Sequence, residues 1–201
     1  DLGPRVTRTR AWTGGRTLRI ESSIDVDYVQ GDAANVVISG PKGLADRVRL
    51  ENGRLFLTEG DESVVFGWSS HGVSARAQRD ELRVTVTAPN LDRFEVNGSG
   101  DLSIAGYDQP ALAIDIAGSS EVRASGRTDA LDLSISGSGD ADLEDLATAT
   151  AKVDIAGSGD ARIAPTGETA VSISGSGDVA LTDRPSKLTT DIAGSGDVYQ
   201  D

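Results

Sequence analysis

The stretch SISGSGDADL, residues 134–143, decides the fold, because its Gly-Ser-Gly-Asp tetrad recurs along the second half of the chain. Five copies read GSGD and one copy reads GSSE. The successive offsets between copies are 20, 19, 20, 18 and 19 residues. A near-constant period over six copies is the signature of a repeat architecture. The copies begin at Gly98, Gly118, Gly137, Gly157, Gly175 and Gly194.

Apolar and polar residues alternate within each copy, as they do in strands that bury one face. A circuit of about 19 residues is too small to bury its own apolar lining, so successive circuits must stack on one another. The sequence therefore predicts an all-β fold, namely a right-handed parallel β-helix. Stacking the copies gives two columns of inward side chains. The first column is Val96, Ile116, Ile135, Ile155, Ile173 and Ile192, and the second is Leu102, Val122, Ala141, Ala161, Val179 and Val198.

The tetrad has a structural interpretation as the corner of each circuit. We expect both glycines to face inward, where the missing Cβ atom lets the backbone bend tightly or adopt a positive φ. The aspartate that follows can accept a hydrogen bond from a nearby backbone N–H, as Asx motifs do. Further turn residues collect between the copies; these are Gly106, Pro110, Gly126, Pro165, Gly167 and Pro185.

Residues 1–90 are expected to form an atypical β section that begins or caps the solenoid, and residues 91–201 the regular repeat. Asp25 follows Ile20 by five residues, as the tetrad aspartates follow their inward isoleucines. Asn52-Gly53 joins two short strand patterns and predicts a hairpin, and Pro89 ends another alternating strand. The segment 59–80, which contains Trp68 and His71, shows no period and predicts a long loop.

Length, charge and composition exclude several classes of function. A chain of 201 residues suits one domain, and its net charge of −13 argues against nucleic acid or an anionic bilayer as partner. The sequence has no cysteine for disulfide or thiolate chemistry, and no apolar run approaches the ~20 residues that a membrane-inserted helix needs. It also has no methionine, which suggests that a leader peptide was removed or that the chain was trimmed.

The repeated hydroxyls and carboxylates define the candidate sites. Serine hydrolysis is disfavoured because the tetrad serines have a single, distant histidine to serve as base. Polysaccharide cleavage is disfavoured because the repeat region has few aromatic residues and short loops. Calcium binding between turns is the stronger alternative, because carboxylates recur once per circuit. We predict no catalytic residue and no cofactor; the calcium alternative rests on Asp101, Glu121, Asp140, Asp160, Asp178 and Asp197.

The order SSIDVDYVQGD, then VTVTAPNLDRFEVNGSGDLSI, then serial ISGSGD and IAGSGD resembles the head GIN domain family of putative bacterial auto-transporter adhesins. The resemblance covers roughly residues 15–201. It implies a parallel β-helix that is exported to the periplasm or cell surface of a Gram-negative-type bacterium. The family brings no catalytic residues to carry over.

The function expected from these features is a non-enzymatic structural, adhesion or interaction module. Its partners would be another protein or a cell-surface glycan, with no nucleic acid and no membrane insertion. The last copy, IAGSGDVYQD, has no visible cap over its strand edge, and an uncovered edge can pair with another chain. We therefore expect a monomer, or a weak homodimer that forms through the solenoid ends.

Overall fold

The computed structural model describes residues 3–58 and 82–201. The predicted loop 59–80, with Trp68 and His71, lies outside the described residues. Sixteen strands and one short helix make up the described chain, in the order β1 (Arg5–Ala11), β2 (Thr17–Glu21), β3 (Asp25–Gln30), β4 (Asn35–Pro41), α1 (Lys42–Ala45), β5 (Val48–Glu51), β6 (Arg54–Leu57), β7 (Arg83–Ala88), β8 (Arg93–Gly98), β9 (Leu102–Gly118), β10 (Glu121–Gly137), β11 (Asp140–Gly157), β12 (Ala161–Pro165), β13 (Glu168–Gly175), β14 (Val179–Leu181), β15 (Lys187–Gly194) and β16 (Val198–Gln200).

The repeat region is a parallel β-solenoid of about five turns, with circuits of ~20 residues, as the tetrad period predicts. Each complete circuit pairs with the next along three stretches. Between β9 and β10 these are 102–104 with 122–124, 107–109 with 126–128, and 111–118 with 130–137. We call the corresponding surfaces faces A, B and C. In β9 and β10 the chain passes through all three without leaving the strand, so Gly106, Pro110 and Gly126 lie at bends within a strand. Gly167 and Pro185 lie in the connections between strands of the later turns, as the sequence predicts.

The N-terminal section extends two of these faces and changes strand direction. Face A continues through β3 and β7, which are parallel to the solenoid strands, and then through antiparallel β4 and β1. Face C continues through β8, β2 and β6, which pair in parallel, and ends at antiparallel β5. Helix α1 buries Leu44 and Ala45 at this end. The boundary near residue 90 remains a prediction, and one buried cluster runs through both sections.

The two predicted columns of inward side chains are confirmed over most of their length. Ile116, Ile135, Ile155 and Ile173 lie opposite one another in register, and all four are buried. Ile192 continues this column in register with Ile173, but its residue surface is 40% exposed, because no described residue stacks a further turn over β15. Val198 in the second column is half-buried for the same reason.

Two local predictions for the N-terminal section are confirmed. Asn52 and Gly53 have φ of 50° and 79° and join antiparallel β5 and β6, as a two-residue hairpin with two left-handed positions requires. Strand β7 ends at Ala88, immediately before Pro89. Among the described residues, no helix has the length and apolar character that a membrane crossing requires.

Candidate functional site

The tetrad aspartates form a ladder along the corner between faces C and A. In most rungs, one carboxylate Oδ1 accepts a hydrogen bond from the backbone N–H of the acidic residue one turn later. The predicted Asx-like bond therefore exists, but it joins successive turns rather than neighbouring residues. In each bond a backbone N–H donates to the Oδ1 atom of an aspartate. The bonds are Asp101 N–H to Asp25 at 3.0 Å, Glu121 N–H to Asp101 at 2.9 Å, Asp160 N–H to Asp140 at 2.9 Å, Asp178 N–H to Asp160 at 2.8 Å, and Asp197 N–H to Asp178 at 2.8 Å.

The two glycines of a tetrad serve different purposes. Gly157 has a φ of +134°, which a residue with a side chain rarely adopts. Gly159 has no such φ, but a Cβ atom there would lie 2.0 Å from the carbonyl oxygen of Gly139 one turn earlier. Only the second glycine is buried, so the expectation that both face inward is wrong for the first, which lies partly exposed at the bend.

The GSSE copy interrupts the ladder. Ser120 occupies the position of the second glycine, is fully buried, and its Oγ has no hydrogen-bond partner among the described residues. The longer side chain of Glu121 turns to Arg123, with 2.6 Å between the charged groups. The N–H of Asp140 then bonds the Ser120 carbonyl oxygen at 3.0 Å instead of a carboxylate. Four of the six predicted ladder acids, Asp101, Asp140, Asp160 and Asp178, therefore accept the N–H of the following turn, as Asp25 does. Glu121 and Asp197 take part in the row through their own N–H groups.

Calcium coordination by this ladder remains a prediction. A shallow groove of about 240 Å³ lies beside it, lined among others by Asp140, Asp160, Asp178 and Arg162. Within the described ranges, no three His, Cys, Asp or Glu side chains are grouped so that they could share a metal ion. The backbone N–H of the next turn already occupies one oxygen of most ladder carboxylates.

The tetrad serines lie on the outside of the same corner. Their backbone N–H groups bond the first-glycine carbonyl of the preceding turn at 2.9–3.0 Å, which fixes the stacking of the corners. His71, the only candidate base in the sequence, falls outside the described residues. The serines in this row are Ser119, Ser138, Ser158, Ser176 and Ser195.

A second concentration of polar residues lies on face C near the N-terminal section. Arg19 on β2 and Arg93 on β8 both donate to Glu95, and Arg93 also donates to Asp115 on β9. Burial is the largest influence on the pKa of Glu95 and acts to raise it. The hydrogen bonds and positive charges of the two arginines together outweigh it, so the pKa of Glu95 lies below its usual value. The hydrogen bond to Glu95 and the charge of Asp115 raise the pKa of Arg93.

This ion-pair lattice borders a groove with a volume of about 720 Å³. The groove crosses β8, β9, β10 and β11 where face C begins. Small residues form much of its lining, and charged side chains stand at intervals along it. The lining residues are Asp92, Arg93, Ala111, Leu112, Ala113, Ala130, Leu131, Asp132, Thr150, Ala151, Lys152 and Glu168.

One row holds three of the five charged residues that line the groove. Arg93, Ala113, Asp132 and Lys152 lie opposite one another on successive strands. Lys152 pairs with Asp154 at 2.9 Å, whereas no described basic group lies within ion-pair distance of Asp132. The negative charge of Asp132 still helps to raise the pKa of Arg93 and of Lys152. The contributions of Glu95 and Asp115 to the pKa of Arg93, and of Asp154 to the pKa of Lys152, are larger. Such a row can form hydrogen bonds and ion pairs, but it offers no nucleophile activated by a base.

The sequence alone did not reveal this groove. Its charged residues are 20, 19 and 20 positions apart with Ala113 included, which is the tetrad period applied to outward-facing positions. Apolar alternation marks the inward columns, and the Gly-Ser-Gly-Asp motif marks the corner, whereas the outward rows carry neither signal. The same period, applied to outward-facing positions and counted back one turn from the first tetrad to Arg93, places these residues on one row.

Comparison with known proteins is consistent with this architecture. Residues 16–185 match the family described as putative auto-transporter adhesin, head GIN domain. A putative adhesin from Bacteroides fragilis has 16% identity and a TM-score of 0.71, with 98% of this chain and 97% of that chain covered. A putative adhesin from Parabacteroides merdae has 15% identity and a TM-score of 0.56, with 99% and 97% covered. No curated protein matches the chain.

One structural neighbour carries a different name. A structure called a putative lipid binding protein, from Parabacteroides distasonis, has 20% identity and a TM-score of 0.55, with 99% of this chain and 97% of that chain covered. At these identities the structural likeness shows the fold alone. The sequence match covers most of the chain, and the chain therefore belongs to the family described as putative auto-transporter adhesin, head GIN domain.

Proposed function

We propose that this member of the head GIN domain family is an exported, non-enzymatic adhesion module. Its solenoid is a rigid support, and its contact surface is the groove on face C. The family description supports adhesion and export to the periplasm or cell surface. The chemistry of the repeat supports a non-enzymatic role, because the tetrad carboxylates hold backbone N–H groups of adjacent turns.

The groove is the observation that carries the proposal. Its volume of about 720 Å³ falls in the range of ligand-binding clefts, and it crosses four consecutive strands of a rigid sheet. Adhesion by such a surface requires a fixed pattern of donors and acceptors, which Arg93, Asp132 and Lys152 provide in one row. Asp132 has no ion-pair partner among the described residues, so its carboxylate can accept from a bound molecule.

We propose a protein as the partner, in preference to a glycan. Sugar-binding grooves commonly stack aromatic side chains on the sugar rings, and none of the described residues that line this groove is aromatic. Alternating basic and acidic groups match the mixed charge of a polypeptide surface, where complementary pairs set the orientation of binding. Binding to a glycan with no protein ligand would contradict this choice of partner.

The test is adhesion of beads coated with the protein to arrays of defined surface proteins and of defined glycans. We expect Asp132→Lys to abolish retention on the protein array, because it places a third cation in the row. Asp145→Lys makes the same charge change at an exposed position outside the groove and should leave retention intact. Equal retention by both variants would show that the groove is not the contact surface. No retention of the unmodified protein on any surface would count against the adhesion function.

A further inference from the structure

The last turn of the solenoid exposes side chains that are buried in every preceding turn. Leu188, 43% exposed, and Ile192, 40% exposed, occupy such positions, whereas the exposed Tyr199 follows the outward-facing Arg162 in register. Leu188 and Ile192 lie opposite Thr169 and Ile173 of the preceding turn, both of which are buried. Among the described residues, no turn covers the core side chains of β15.

Strand β15 also presents an unpaired backbone edge. Its inner side pairs with β13, and no described strand pairs with its outer side. On face C, residues whose side chains face outward direct their backbone N–H and C=O groups toward the preceding turn. Ala113, for example, donates its N–H to the carbonyl oxygen of Asp92. By the same register, the N–H and C=O groups of Leu188, Thr190 and Ile192 point away from β13.

The inward residues of β15 read Leu188, Thr190, Ile192, an apolar, polar and apolar order that is symmetric about Thr190. An antiparallel strand of the same sequence, related by a two-fold axis at Thr190, places Leu188 against Ile192 of the other copy. The outward residues are compatible with this pairing, since Lys187 and Asp191 of opposite copies come two positions apart. Cross-strand pairs of opposite charge and of apolar side chains are favourable at these spacings.

We propose that two copies of this chain associate end to end by antiparallel pairing of β15 with β15, with Thr190 on the two-fold axis. The pairing continues the sheet of face C across the interface and covers Leu188 and Ile192 of both copies. A two-fold contact is closed, so association stops at the dimer. The interface is independent of what the groove on face C binds.

Electrostatics predicts how the dimer responds to salt. Each copy carries a net charge of −13, and the two copies repel one another as they approach. Raising NaCl from about 0.1 M to about 1 M shortens the screening length from about 10 Å to about 3 Å, which weakens this repulsion. The contact between Leu188 and Ile192 is apolar and is not weakened by screening. The dimer fraction should therefore increase with salt.

Analytical ultracentrifugation of the full chain at both salt concentrations measures the dimer dissociation constant. Thr190→Lys places two like charges face to face on the axis and should weaken dimerisation by about tenfold or more. Thr189→Lys makes the same change on the same strand, but on the outward face, where the new lysine comes opposite Asp191 of the other copy, and it should leave dimerisation unchanged or strengthen it. Mixing Thr190→Lys with Thr190→Asp should restore a dimer that neither variant forms alone.

A covalent probe gives a second readout, because the chain has no cysteine. Directly opposite residues in a hydrogen-bonded antiparallel pair have Cα atoms about 5.5 Å apart, which suits a disulfide. Oxidation of Thr190→Cys should yield a cross-linked dimer, and Thr189→Cys should cross-link much less. Sedimentation as a monomer under all conditions, equal weakening by the two lysine variants, or equal cross-linking by the two cysteine variants would each overturn the proposal.

Discussion

The aspartate of the tetrad is suited to its corner by side-chain length. Asp160 accepts the N–H of Asp178 at 2.8 Å while its own N–H bonds Asp140 at 2.9 Å. Glu121 has one more methylene group and does not make the equivalent bond; its carboxylate pairs with Arg123 instead. A rung therefore requires a carboxylate close to the backbone, and this explains why the repeat uses aspartate rather than any acidic residue.

Replacing Asp160 by alanine should destabilise the protein by about 1–3 kcal/mol, because the N–H of Asp178 loses its charged acceptor. Asp160→Asn keeps an acceptor oxygen in the same position and should cost less. Urea unfolding measures both values. If the asparagine variant lost as much stability as the alanine variant, the carboxylate would not act through this hydrogen bond.

Gly159→Val should cost several times more than Asp160→Ala. The new Cβ atom would lie 2.0 Å from a backbone carbonyl oxygen of the preceding turn, so the two turns must move apart. The same urea titration tests this prediction. Similar losses for the two variants would mean that stacked turns separate easily at the corner.

Restoring the irregular copy should stabilise the protein. The double variant Ser120→Gly and Glu121→Asp removes a buried hydroxyl that has no described partner and offers Asp140 N–H a charged carboxylate acceptor in place of the backbone carbonyl oxygen of residue 120. We expect a gain of about 1–2 kcal/mol, after subtracting about 0.5–1 kcal/mol for the flexibility of glycine. Each single variant, measured beside the double, separates the two contributions. A loss of stability in the double variant would show that Ser120 is required by its surroundings.

Among the strands, those of the N-terminal section are joined by ion pairs between residues far apart in sequence. Arg16 with Asp92, Arg19 with Glu95, and Asp25 with the N–H of Asp101 all share a separation of 76 residues. The constant value arises because β2 and β3 form a turn that lies directly on β8 and β9. The intervening strands β4 to β7 extend the two faces beyond that turn.

This lattice should make stability depend on pH below neutrality. The pKa of Glu95 is lower in the folded protein than its usual value of 4.5, so the unfolded chain binds the proton more readily. The contribution of Glu95 is fully present above pH of about 4.5 and is lost as the pH falls through the folded-state pKa. Glu95→Gln should cost about 1 kcal/mol at pH 7 and flatten the acid limb of the stability curve. Asp145→Asn, outside the lattice, is the control, and an unchanged acid limb in Glu95→Gln would contradict the role of Glu95.

Repetition determines which strands the sequence predicts correctly. Where the period holds, the columns, the corner aspartates and the equivalence of Asp25 to a tetrad aspartate all follow from spacing. Helix α1 and the antiparallel pairing of β1 with β4 have no repeating pattern and depend on contacts specific to this end of the molecule. The groove on face C depends on outward-facing residues, where hydrophobic periodicity gives no signal.

In the molecule as a whole, charge is distributed unevenly along the solenoid axis. Residues 3–58 contain nine Lys and Arg against six Asp and Glu, whereas residues 82–201 contain eight against twenty. The acidic excess therefore lies on the regular solenoid. Cations should accumulate around this part by general attraction, whether or not any carboxylates form a specific site.

The difference between general and specific cation binding gives the prediction for calcium. General screening should raise the melting temperature slightly and equally with CaCl₂ and MgCl₂ at equal concentration. A specific calcium site would stabilise the folded state by about 2.7 kcal/mol at a hundred times its dissociation constant. For a chain of this size that corresponds to a rise of about 5–11 °C. Because the ladder carboxylates already accept backbone N–H groups, we expect the smaller, metal-independent shift. Differential scanning calorimetry with each salt, and again after addition of a calcium chelator, measures it. A large rise that only calcium produces, that the chelator reverses and that Asp160→Ala abolishes would establish the ladder as a calcium site.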